Sequence, residues 1–253
     1  NEHIKLSVLS LGATLINLET PDKEGVFEPI VLRYKSLVDY LQNTKLLGST
    51  VAPYAGRIAP PALPLNDVKT LLESKEDAVF LHSEQANMAH QVFKVESVSR
   101  DHVRLTYTHP NGLVGYPGNI EFKVTYQLDR DRLAIHFEST SDATTYVNPT
   151  HHSYFNLSGH LKTDTTDHHL MIPSKTLYQL DDLGVPTHPI DATGTAFDFQ
   201  QPKPLEASLK QLKKSVTKGI DHPYEVSPLS LITLYEPQSG RTMAMQSTYD
   251  GLV

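Results

Sequence analysis

Ile120-Glu121-Phe122-Lys123-Val124-Thr125-Tyr126-Gln127-Leu128 is apolar at every second position. Period two is the repeat of an extended strand, whose successive side chains point to opposite faces. A polar turn, Asp129-Arg130-Asp131-Arg132, leads into Leu133-Ala134-Ile135-His136-Phe137, which alternates again. Two such runs around a short polar turn make an antiparallel hairpin with one face on a core and the other toward solvent. Working outward, residues 93–98 and 103–107 form a second predicted hairpin. Residues 4–9, 12–18 and 30–32 read as strands upstream, and 168–172, 231–235 and 242–246 as strands downstream. Residues 48–64 are rich in Gly, Pro and Ala, which predicts loop or edge rather than core strand. Helical spacing is confined to 204–212, with Leu205, Leu209 and Leu212 on one stripe, and to a turn at 36–43 capped by Ser36. The expected fold is all-β: one domain over 1–253, a sandwich of antiparallel sheets with few short helices.

Composition narrows the function. The 253 residues carry a formal charge of −7, which argues against nucleic acid or an anionic membrane as a non-specific partner. No apolar run reaches a bilayer-spanning length and no secretory leader is expected, so the cytoplasm is the expected location. Cysteine is absent, which removes disulfides, thiolate ligands and a thiol nucleophile. Tryptophan is absent too, leaving Tyr, Phe and His as the planar surfaces against which a ligand could stack.

The densest chemistry lies in Asn148-Pro149-Thr150-His151-His152-Ser153-Tyr154-Phe155-Asn156-Leu157. A single histidine at a strand end is ordinarily structural, and that reading stands beside a functional one for His152. Adjacent strand residues face opposite ways, so neither His151-His152 nor His168-His169 can chelate one ion as a pair; no metal is expected. Arg57, in a loop without a neighbouring carboxylate, is either a surface cation or a fork of donors for the oxygens of a polar ligand. His82 sits between apolar and polar residues, as a rim histidine does. Asp221 follows a glycine in a turn, where Asp is common for structural reasons.

Taken together these segments resemble the galactose mutarotase (aldose 1-epimerase) family, in its mutarotase-like bacterial branch. Leu11-Gly12-Ala13 opens an early strand, and Gly56-Arg57-Ile58-Ala59 is similar to the family's Gly-Arg-hydrophobic-Ala element. Leu81-His82 is similar to its Leu-His-Gly, with Ser83 in place of the glycine. Gly115-Tyr116-Pro117-Gly118-Asn119, His152-Ser153-Tyr154-Phe155-Asn156-Leu157, Pro186-Thr187 with Gly194-Thr195-Ala196-Phe197-Asp198-Phe199, and Gly219-Ile220-Asp221-His222 follow in the family's order. The resemblance implies a β-supersandwich that interconverts the α and β anomers of a free hexose by acid–base ring opening and closure. It implies His152 as general acid, and Arg57, His82, Asp221 and Tyr154 at the substrate. It implies no cofactor and no metal.

Two departures accompany the match. The family's general base is a glutamate beyond the segment resembled by Thr248-Tyr249-Asp250-Gly251-Leu252-Val253. No glutamate here matches it, Glu225 and Glu236 falling elsewhere in the pattern, and the natural protein is expected to continue past Val253. Pro60-Pro61 follows Ala59 where the family carries a hairpin, so a shortening is expected there. Ser83 is expected to bear on which sugar is accepted. The alternatives are a hexose-6-phosphate epimerase of the same superfamily, or a carbohydrate-binding or regulatory protein without catalysis.

Overall fold

The computed structural model describes residues 2–65, 68–75, 78–215 and 217–253. Strands dominate, all named ladders are antiparallel, and Leu205–Leu212 is the one α-helix among the described residues. The chain forms two compact units: Asn1–Pro21 with Phe27–Phe155, and Asp22–Val26 with Asn156–Val253.

In the first unit a four-stranded sheet runs in the order Arg132–Ser141, Ile120–Asp129, His102–His109, Lys94–Val98. Ile120–Asp129 is its most buried strand, and its alternation is complete: Ile120, Phe122, Val124 and Tyr126 are fully buried while their neighbours are half-exposed. The inward row meets the N-terminal strands where the Tyr126 hydroxyl donates to the Ala13 carbonyl. Lys94–Val98, at one edge, is exposed along its length and carries Lys94 and Glu96, charges that discourage a further strand from adding there. The strands Lys5–Leu9, Thr14–Pro21 and Phe27–Pro29 form a three-stranded sheet. The strand expected at 30–32 lies slightly earlier. Ile30 and Val31 are buried, but Val31 makes only an isolated bridge to Phe155, so their apolar character records burial and not a ladder.

Residues 48–64 depart from the sequence reading. They contain Thr50–Val51, both buried, Arg57–Ile58, and Ala62–Leu65. Ala62–Leu65 pairs with Val68–Leu71, so a hairpin does follow Ala59, where a shortening was expected. Leu63 and Leu65 join Leu72, Phe80, Ala86, Val114 and Tyr116 in one apolar cluster. Pro64 is tolerated because the ladder has two strands only and the proline side chain faces out.

In the second unit one sheet runs Lys203–Pro204, His169–Met171, Ile232–Tyr235, Thr242–Met245. Another runs Pro186–Asp191, Thr176–Leu180, Tyr224–Glu225, Gly251–Leu252. Ile172, Leu177, Ala192, Phe199, Tyr224, Val226 and Ile232 form the core, with Leu205 of the helix packed against it. Leu212 is buried on the predicted stripe, and Lys210 pairs with Glu206 one turn back at 2.6 Å.

Candidate functional site

The strand Thr150–His151 pairs with Thr50–Val51. The pairing extends one residue further, because the His152 amide donates to the Ser49 carbonyl (2.9 Å) and the Gly48 amide to the His152 carbonyl (2.9 Å). Gly48 also accepts from the Leu15 amide at 2.8 Å. At φ +66 a Cβ on Gly48 would lie 2.1 Å from the Leu15 oxygen, so only glycine fits.

Alternation along this strand separates the two histidines. His151 turns toward Tyr126. The Tyr126 hydroxyl spends its proton on Ala13, so it must accept from His151 Nε2, 2.9 Å away. Nδ1 of His151 then accepts from the Ser153 hydroxyl at 3.0 Å. Both nitrogens are thus used by a neutral ring, and burial, with the neighbouring His152, pushes His151 down to about 4.

His152 turns the other way. Its ring meets His82 edge to face at 5.6 Å between centroids and lies 5.2 Å from the ring of Tyr154. The Tyr154 hydroxyl donates to the Lys45 carbonyl at 3.2 Å. His82 is gripped by Gly56 twice. Its amide donates to the Gly56 carbonyl (2.9 Å), and the Gly56 amide donates to His82 Nδ1 (3.0 Å). A nitrogen that accepts carries no proton, so the neutral ring holds its proton on Nε2. Burial, then His152 and then Arg57, push His82 down to about 4. Arg57 stands opposite Leu81 in the two-stranded ladder Arg57–Ile58 with Phe80–Leu81, and is half-buried.

Gly56 and Ser83, which the sequence reading left without a role in the geometry, prove to hold this corner. His82, Ser83 and Glu84 all take positive φ, at 51°, 60° and 42°. The Ser83 side chain is completely buried and bonds the Tyr54 backbone twice, accepting from its amide (2.9 Å) and donating to its carbonyl (3.0 Å). Ser83 therefore exposes no surface of its own.

Asp221 belongs to the second unit and is exposed. The next residue, His222, is buried and packs tilted against Phe197 with 4.2 Å between ring centroids, while the Tyr224 hydroxyl donates to the Phe197 carbonyl (2.8 Å). The segment carrying Asp221 is so fastened to the Thr195–Phe199 turn. Glu236 is buried, and its two carboxylate oxygens accept from the amides of Gln238 (2.9 Å) and Ser239 (2.7 Å). Burial opposes its charge, but those amides prevail and hold the carboxyl below its ordinary range. Its carboxylate closes a turn. His168 accepts from the Leu157 amide (2.8 Å) and His169 packs on Tyr235, so this pair is also split.

No described helix is long and apolar enough to cross a membrane. A family profile described as Aldose 1-epimerase matches residues 1–253. The galactose mutarotase of Sus scrofa is 29% identical over 257 residues, spanning 100% of this chain and 74% of that protein. Among solved structures, a GalM/aldose epimerase homologue from C. elegans superposes with a TM-score of 0.90 at 23% identity, over 99% of this chain and 78% of the other. The galactose 1-epimerase of Lactobacillus acidophilus NCFM superposes at 0.82 with 27% identity, over 93% and 70%.

Proposed function

Because the chain belongs to the aldose 1-epimerase family, we propose that it interconverts the α and β anomers of a free hexose, galactose or glucose, with His152 as the general acid. It is an isomerase, and its reaction needs only proton transfer around a reversible ring opening. A base takes the proton from the anomeric hydroxyl. The electrons of that O–H bond form the C1 carbonyl, the C1–O5 bond breaks, and O5 takes a proton from His152. Rotation about C1–C2 turns the other face of the aldehyde to O5. The same groups run in reverse to close the ring with opposite configuration.

One observation supports the assignment most: His152 shares its surroundings with a histidine that is held neutral. His82 presents a fixed Nε2–H donor, suited to a sugar oxygen but not to taking a proton at Nδ1. His151 is engaged behind the strand. We assign the proton transfer to the ring oxygen to His152, the imidazole of the His152-Ser153-Tyr154-Phe155-Asn156-Leu157 motif. Arg57 would hold hydroxyls, and Tyr154 would wall the sugar, which fixes the ring for transfer. No residue of the chain is assigned as the base. The proposed reaction runs in the cytoplasm and routes no step through a cofactor, a metal or nucleic acid.

The test is polarimetric. Freshly dissolved α-D-galactose and α-D-glucose should reach equilibrium rotation faster with the protein than in buffer, and His152→Ala should remove most of the acceleration. A wild-type rate equal to that of buffer would overturn the proposal.

A further inference from the structure

Three consecutive non-glycine residues in the left-handed region cost roughly 1 kcal/mol or more each. They persist only where the surroundings over-determine them. Here each is tied by its own side chain: His82 Nδ1 to the Gly56 amide, and Ser83 Oγ to both backbone groups of Tyr54. Glu84 closes the set, accepting from the Ser74 hydroxyl (2.6 Å) and the Lys75 amide (2.8 Å). Two of the three ties run to the segment Tyr54–Gly56, which leads directly into Arg57. The Ser83 tie is made by a buried side chain and is reciprocal, so it fixes that segment in both directions at once.

We propose that Ser83 is a positioning residue: its hydroxyl locks the Tyr54–Arg57 segment to the His82 turn, which fixes the His82 ring with its proton on Nε2 and sets Arg57 beside it. The hydroxyl touches no substrate and acts only through these two side chains. The consequence for the reaction rests on the aldose-epimerase reading above; the consequence for the His82 ring does not. Without the tie, the Tyr54 amide and carbonyl lose their buried partner and Gly56 slides from His82 Nδ1. The ring is then free to carry its proton on either nitrogen.

Ser83→Ala removes the hydroxyl and keeps the strain; Ser83→Gly removes both, so it folds where the first fails. Both are checked by thermal melting. The His82 ring is followed by 15N-detected NMR of histidine-labelled protein, its signal assigned by its loss in His82→Gln. The expected result is one Nε2–H form in the wild type and a mixture of both forms in the folded variants. With galactose, KM should rise about fivefold while kcat changes less than twofold, the pattern of lost uniform binding. A folded Ser83→Gly with the wild-type ring signal would overturn the proposal, as would an unchanged KM in an active enzyme. Should the wild type itself be inactive, the function above fails, and the ring signal still decides the role of Ser83.

Discussion

His152 and His82 meet edge to face with 5.6 Å between ring centroids, and they are unequal partners. Gly56 has taken Nδ1 of His82, and burial with its cationic neighbours keeps that ring neutral down to about 4. Two imidazoles this close could compete for one proton, and the Gly56 amide removes the competition.

The two rings should therefore fail differently when removed. His152→Ala should lower kcat by about 10²–10⁴, the usual worth of a placed acid, with its melting temperature near that of wild type. His82→Gln keeps a donor and should act mainly on KM. Polarimetry across galactose concentrations separates them, and equal losses of kcat in both variants would contradict the division of labour.

Arg57→Lys replaces a planar fork with a point charge. It should raise KM about ten- to a hundredfold, the worth of one charge-assisted hydrogen bond, with little effect on the melt. An unchanged KM would take Arg57 out of the substrate site.

Acid should destabilise the fold well before the carboxylates titrate. His82 and His151 titrate at about 4 in the folded protein and near 6.5 when unfolded. Between those values the unfolded chain binds more protons, so stability rises with pH across that window and its contribution is flat above it. His90, His109, His168 and His222 are shifted in the same direction by burial. Urea midpoints should fall steadily from pH 7 to pH 5; a constant midpoint would contradict the neutral, buried rings.

Tyr126→Phe deletes one hydroxyl and strands two groups, the Ala13 carbonyl and His151 Nε2–H. An unsatisfied buried group costs about 1–3 kcal/mol, so denaturant unfolding should show a loss of at least that size. A loss below about 0.5 kcal/mol would mean that water replaces the phenol.

The sheet core was legible because Ile120–Asp129 carries its pattern in its own sequence. Each inward residue is apolar, and the structure buries each one. Residues 48–64 were misread for the complementary reason. Ala62–Leu65 is held by its pairing with Val68–Leu71 and by packing on Phe80 and Tyr116, partners that Gly and Pro composition does not announce. The same holds at the site. His152, His82 and Arg57 could be named from short motifs, whereas the Gly56 amide on His82 and the Ser83 tie to Tyr54 exist only once distant backbone segments meet. Ser83 was visible as a departure from the family pattern, but nothing in the sequence revealed that its hydroxyl points into protein.

Gly48 joins Leu15 on one side to His152 on the other through its carbonyl and its amide. Three stretches far apart along the chain thus hang on a single residue without a side chain. Their amide protons should trade with deuterated solvent at a common, slow rate, since opening either link loosens the other. Loss of the His152 strand on heating would then be coupled to unzipping of the N-terminal strand, so, with His152 as the proposed acid, inactivation and the first structural transition should fall at one temperature.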